Sequence, residues 1–260
     1  MKELPVELQS LLAGGTWQTI SIGYSGHQVF RIVRPHDPVC YLKIAAHPFE
    51  QELLAEKDHL EWLQGRLPVP AVHACCTDAE HSYLLLAEIP GLLAFDDAFV
   101  KDIPALVRIL AEGLRMIHQV DSTLCPFDER LAHKISLARQ RVEAGLVDES
   151  DFDEKRKGMR AGEVFKLLIE SQPQGEDLVF THGDYCLPNI LIDRPHGHIT
   201  GLIDWGHAGV ADRYQDLALA ARSLTHNFGP GWEPLLWEAY GLKTMDHTRI
   251  EYYQLLDEFF

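Results

Sequence analysis

The feature that most restricts the fold of this chain is a change of hydrophobic period at Pro90–Gly91. Before it, apolar residues alternate in short β-rich runs: WQTISI (17–22), QVFRIV (28–33), VCYLKIA (39–45), AVHACC and SYLLLAEI. These read as strands. One segment in this half, EQELLAEKDHLEWLQGRL ending at 67, places Leu53, Leu54, Leu60 and Leu63 at helical spacing, and LPVP then breaks it. After Pro90–Gly91 the period becomes helical. Residues 103–121 put Leu106, Ile109, Leu110, Leu114 and Ile117 on one stripe, and helices are expected near 130–144, 161–171, 212–225, 231–240 and 246–260. Three apolar runs, LVFT, NILID and ITGLID, interrupt them. Strands first and helices second predict an α+β chain of two lobes, 1–88 and 89–260, with a ligand cleft between.

The sharpest chemical signal is THGDYCLPNILID (181–193) followed by GLIDWG (201–206). Phosphoryl transfer needs a carboxylate to receive or orient a hydroxyl proton, and oxygen ligands to hold magnesium on the phosphates. Asp184 supplies the first role and Asn189, five residues on, supplies one ligand. Asp204, at the end of an apolar run, supplies the other. Each residue alone reads as an ordinary turn or strand end. The joint spacing is what carries chemistry. His182 reads as ordering this loop by hydrogen bonds rather than as a base. Asp216, in RYQDLA, reads as a brace that accepts backbone N–H groups rather than as a catalytic group.

In the strand half, Lys43 alternates with Leu42 and Ile44 and so faces away from them. Glu56 shares the inward helical face of Leu53 and Leu60. A buried carboxylate needs a partner, and a Lys43–Glu56 pair satisfies both groups. Glu52, one turn earlier, is the competing partner. Such a pair would hold the lysine on the α- and β-phosphates of a nucleotide. GYSGHQV lacks the GxxxxGK[ST] pattern of a P-loop, but its glycines would let backbone N–H groups approach phosphates. Ser25 and Gly26 are candidates there by position.

Thirty-nine acidic against twenty-three basic residues leave a net charge of −16, which argues against nucleic acid or an anionic membrane as partner and favours a cationic ligand. No apolar run reaches the roughly 18 residues of a spanning helix, and the first residues carry no secretory h-region. Cys40, Cys75, Cys76, Cys125 and Cys186 are odd in number and form no CxxC pair. A reducing, cytoplasmic setting fits them. His196 and His198, in RPHGH, read as a solvated turn rather than a metal site.

The pieces VFTHGDYCLPNILI, GLIDWGHAGVADRYQDLALAARS, CPFDER, EAGLVD and the terminal LLDEFF resemble the aminoglycoside phosphotransferases, especially the 3′-phosphotransferase family. The likeness runs from about residue 20 to the end. It implies a bilobal protein-kinase-like fold, with a small β-rich N-lobe (1–88) binding nucleotide and a larger, mostly helical C-lobe (89–260) carrying the catalytic loop, magnesium site and acceptor site. It also implies ATP and Mg2+, a cationic aminoglycoside as substrate, antibiotic resistance as outcome, and adenine meeting the main chain between Ala87 and Ile89. On the acceptor side it points to Asp151, Glu154, Arg222, Glu258 and the α-carboxylate of Phe260. EAGLVDESDFDE (143–154) has six acidic side chains and no basic one, which fits an ammonium-rich ligand. Taken alone, an acidic run is a solvated face and a terminal Phe-Phe packs. The chain departs from the family at His207, where many members carry arginine, and at His226 and Asn227, where the family is often acidic. No obligate protein partner is implied. The alternative is a kinase of the same fold acting on choline, a fructosamine or another antibiotic class.

Overall fold

The alternating runs of the first half form one five-stranded antiparallel sheet in the computed structural model, which describes residues 4–20, 27–46, 50–194 and 196–260. In chain order the first elements are α1 (Val6–Leu12), β1 (Thr16–Ile20), β2 (His27–Val33), β3 (Cys40–Ala46), α2 (Glu50–Leu63), β4 (Val72–Thr77), β5 (His81–Ala87) and β6 (Leu92–Leu93). There follow α3 (Ile103–His118), α4 (Leu131–Ala144), α5 (Ala161–Glu170), β7 (Leu178–Thr181), β8 (Ile190–Asp193), β9 (His198–Leu202), β10 (Gly209–Asp212), α6 (Tyr214–Phe228), α7 (Glu233–Tyr240) and α8 (His247–Asp257). The chain divides into two compact units. Met1–Asp96 with Pro188–Gly206 makes one, and Asp97–Leu187 with His207–Phe260 makes the other.

In the first unit the strands run in the order β1-β2-β3-β5-β4. Helix α1, which the sequence did not announce, sets Leu8 and Leu12 into a core with Ile32, Leu42, Tyr83 and Leu85. Leu42 pairs with Leu85 across β3 and β5, and Lys43 pairs with Leu84. The pleat therefore sends Lys43 to the face opposite Leu42. Helix α2 buries Leu53, Leu60 and Leu63 completely. Each such side chain contributes about 1.5–3 kcal/mol, so the helix is held by packing rather than by its own propensity. It stops at Leu63, short of the expected 67, because Gly65 turns the backbone to φ +76°.

A second antiparallel sheet, in the order β6-β8-β9, joins residues on either side of the 188 boundary to this unit. Pro90 and Gly91 are packed into it. The Thr200 hydroxyl donates to the Pro90 carbonyl at 2.7 Å. Gly91 has φ +153°, and a Cβ there would strike Thr200 and Leu191.

The second unit is mostly helical. Asp102 caps α3 by accepting the Ala105 N–H at 3.1 Å, and Leu106, Leu110, Leu114 and Ile117 of that helix are buried. Strands β7 and β10 pair antiparallel, with Thr181 opposite Gly209. Helix α6 is buried almost all round, from Tyr214 to Ala221. Such a helix forms the centre of a helical unit rather than its surface. Among the described residues no helix is long and apolar enough to cross a membrane.

Candidate active site

Within the first unit, β3 and α2 bring the predicted lysine and glutamate together. Lys43 Nζ donates to both Glu56 carboxylate oxygens at 2.7 Å, and to Asp204 Oδ1 at 3.2 Å. Glu56 is 2% exposed. Burial alone would lower the Lys43 pKa, but Asp204 and Glu56 outweigh it and hold the ammonium above its ordinary value. Glu52, the competing partner, instead lies 3.4 Å from His27 Nε2 at the start of β2. Asp204 takes a left-handed backbone, φ +67°. For an L residue this costs on the order of 1 kcal/mol, an expense that marks the turn after β9 as a place where direction matters more than comfort.

Asn189 is 7% exposed, and its backbone carbonyl accepts the Ile203 N–H at 3.0 Å. The segments that carry Asn189 and Asp204 are thus stitched together one residue before the aspartate. A carboxamide and a carboxylate are hard oxygen donors, and Mg2+ is commonly held by one or two such groups together with substrate phosphates. The residues fit the ion. At the proposed base-binding strand, the Ala87 N–H is occupied by the Ala71 carbonyl at 2.9 Å, and Ile89 is half-buried. Ser25 and Gly26 lie outside the described residues.

Within the second unit, the loop after β7 is tied down by a buried carboxylate. Asp216 Oδ2 accepts the His182 N–H at 2.8 Å and Oδ1 accepts the Gly183 N–H at 2.8 Å. His118 Nε2 is 3.1 Å from the same carboxylate, and His118 Nδ1 is 2.7 Å from the Tyr240 hydroxyl. Burial alone would raise the Asp216 pKa; the His118 hydrogen bond leads the interactions that hold it below the ordinary value. The brace keeps Asp184 on a loop that cannot drift. Asp184 is half-buried, its N–H directed to His182 Nδ1 at 3.3 Å. The Leu187 N–H donates to Ser223 Oγ at 2.9 Å, which fixes the far end of the loop to α6.

The acidic wall is only partly the one expected. Arg222 pairs with Asp257, and burial that would lower its pKa is outweighed by Asp257, Glu258 and Asp184. Glu258 is buried against Arg156, with Nη1 2.9 Å from Oε1, and its Oε2 accepts the Asp153 N–H at 3.1 Å. Burial and the neighbouring Asp153 push the Glu258 carboxyl up to about 7. Glu154 is instead exposed and paired with Lys157 at 2.9 Å, and Asp151 is also exposed. Phe260 lies with its ring 6.0 Å from that of His207. His118, Asp153 and Arg156 were missed. Asp153 stood inside the acidic run already singled out, whereas a lone His or Arg carries no local signal of its partner.

A lysine fixed by a helix glutamate, beside an aspartate at a strand turn, is how kinases hold nucleotide phosphates. The α+β fold is of the same kind, a two-lobed protein-kinase-like phosphotransferase with a smaller β-rich and a larger helical part. The chain belongs to the Phosphotransferase enzyme family, APH, whose pattern it matches over residues 16–253. It is 40% identical to an aminoglycoside 3′-phosphotransferase of Niallia circulans, across 98% of this chain and 97% of that one. It is 37% identical to another from Streptomyces fradiae, across 94% and 95%. Among solved structures it is similar to a type VIII aminoglycoside-3′-phosphotransferase at 34% identity and a TM-score of 0.88, covering 98% and 97% of the two chains. It is also similar to APH(3'')-Id from Streptomyces rimosus in complex with ADP and streptomycin, at 26% identity, TM-score 0.81 and coverage of 97% and 95%.

Proposed function

We propose that this chain transfers the γ-phosphate of ATP to the 3′-hydroxyl of an aminoglycoside and so confers resistance to it. The observation that carries the reading is the contact of Lys43 with both Glu56 and Asp204. That arrangement supports assigning the Lys43 ammonium, held charged by the two carboxylates, to the α- and β-phosphates. Asp184 orients the acceptor hydroxyl and accepts its proton. Asn189 and Asp204 are the residues that would hold Mg2+, which when bound neutralises phosphate charge. The protein contributes position and electrostatics rather than covalent chemistry. Arg222, Glu258, the Phe260 carboxylate, Asp151 and Glu154 are assigned to the acceptor, Ser25, Gly26, Ala87 and Ile89 to the nucleotide. Residues 1–88 are assigned to nucleotide binding and 89–260 to catalysis and acceptor binding. The relatives named as 3′-phosphotransferases, at 40% and 37% identity over nearly the whole chain, support the acceptor and the hydroxyl. They weigh against choline, a fructosamine or another antibiotic class as acceptor. The reading needs no nucleic acid, membrane or protein partner, and it places the enzyme in the cytoplasm, where its five free cysteines stay reduced.

An ADP-release assay tests it. Kanamycin should be phosphorylated, and a congener without the 3′-hydroxyl should not; turnover of both moves the reaction to another hydroxyl. Asp184→Ala should abolish turnover with ATP affinity retained, and substantial residual activity removes its assigned role.

A further inference from the structure

Helix α4 carries two cations on one face that neither catalysis nor solvation explains. Lys134, Ala138 and Arg141 recur at i, i+4 and i+7 and so share one face. Lys134 is 2% exposed. A leucine would fill that position without any counter-charge, so a buried lysine there calls for a physical reason. It is charge-compensated by Glu129, with Nζ 2.9 Å from Oε2. Its Nζ stands 4.7 Å over the ring of Phe260, and the Arg141 guanidinium carbon lies 5.9 Å from the same ring. Arg141 Nε also donates to the Phe259 carbonyl at 2.6 Å. Phe259 is fully buried and meets Phe165 of α5 edge-on, ring centroids 5.8 Å apart.

The last two residues are therefore gripped three ways: an apolar plug at Phe259, a hydrogen bond to its carbonyl, and two cations on the Phe260 ring. A residue held in place before a ligand arrives spares binding the cost of ordering it.

We propose that Lys134 and Arg141 are positioning residues that clamp Phe260, so that it meets the acceptor already ordered. This rests on the assignment of Phe260 to the acceptor site. Neither residue touches the transferred phosphate. Their loss should weaken acceptor capture without changing nucleotide binding.

The test compares Lys134→Met, Arg141→Met, deletion of Phe260, and each double variant. For Lys134→Met the kanamycin KM should rise about three- to fivefold, the scale of a cation–π contact to an exposed ring, while the ATP KM and kcat stay within about twofold. Lys134→Arg should restore it. In the Phe260 deletion the Met substitutions should add nothing further, because the clamp has lost its object. Lys134→Met also strands Glu129 and should lower the melting temperature, so carboxypeptidase release is compared at an equal interval below each protein's own melting temperature, where Phe260 should leave Lys134→Met and Arg141→Met faster than the parent. A kanamycin KM that rises on deleting Phe260 but not in either Met variant overturns the clamp. Deletion that leaves the kanamycin KM unchanged overturns instead the assignment of Phe260 to the acceptor, and carboxypeptidase release then decides the clamp alone: equal release in parent and variants refutes it.

Discussion

The carboxylate of Asp216 holds the backbone N–H of His182 at 2.8 Å, two residues before Asp184. Its other oxygen holds the Gly183 N–H, so one buried side chain on α6 sets the path of the loop that presents Asp184. Asp216→Asn keeps the shape but replaces an acceptor with an amide donor. Losing one charge-assisted bond of this kind is worth about 1.5–3 kcal/mol, so kcat should fall about 10- to 100-fold. Both KM values should change little. Steady-state kinetics check this, and a loss expressed wholly in KM would assign Asp216 to binding instead.

Lys43 and Glu56 should not be equivalent under substitution. Lys43→Met strands a buried carboxylate, a change that typically costs about 3–5 kcal/mol. It should lower kcat/KM for ATP at least about 100-fold and depress the melting temperature. Glu56→Gln leaves Lys43 a hydrogen-bond partner and leaves Asp204 in contact with it, so its loss should be smaller. Calorimetric titration of each variant with an aminoglycoside alone should show near-parent affinity.

Acceptor capture should depend on pH through Glu258. Its carboxyl is raised from an ordinary 4.5 to about 7. A carboxyl raised on folding adds stability at acidic pH, and that contribution is lost as the pH climbs through about 7. Binding runs the other way, because an ammonium group is held by the ionised form. The aminoglycoside KM should therefore fall as pH rises from 6 through about 7. The step should vanish in Glu258→Gln, and a pH profile identical to the parent would remove Glu258 from the acceptor site.

Gly183→Ala should be the most damaging single-methyl change in the loop. Gly183 has φ +86°, and a Cβ there would land on the His207 carbonyl. The loop must then shift, which disturbs its two bonds to Asp216. A loss of kcat of at least about 100-fold is expected, since small misplacement of a reacting group is costly. A fully active alanine variant would show that the loop tolerates that displacement.

Much of this was legible because it is local. Alternation gave the strands from 17 to 89, the 3.6-residue stripe of Leu106 to Ile117 gave α3, and opposite facing of Leu42 and Lys43 gave the lysine–glutamate pair. The missing pieces are those whose partners lie far away in sequence. Helix α1 has too short an apolar stripe to be told from a tail until Leu8 and Leu12 meet the sheet. The two-residue β6 exists only because β8 returns beside it. His118 meets Asp216 across 98 residues, and Arg156 meets Glu258 across 102, separations at which no spacing rule operates. The acidic run is legible only as a face, since charge density does not say which carboxylates turn inward. Glu154 stays exposed beside Lys157.

The sheet formed by β6, β8 and β9 has a consequence for how the molecule is made. β6 is separated from β8 by nearly a hundred residues, so the first unit cannot be finished until Pro188–Gly206 has been synthesised. Closing so long a loop is entropically slow. On the ribosome the first unit would begin first and be completed after much of the second has emerged. A fragment ending near Asp96 would expose an unpaired β6 and lack both Asn189 and Asp204, so the two halves cannot be exchanged between relatives as simple cassettes.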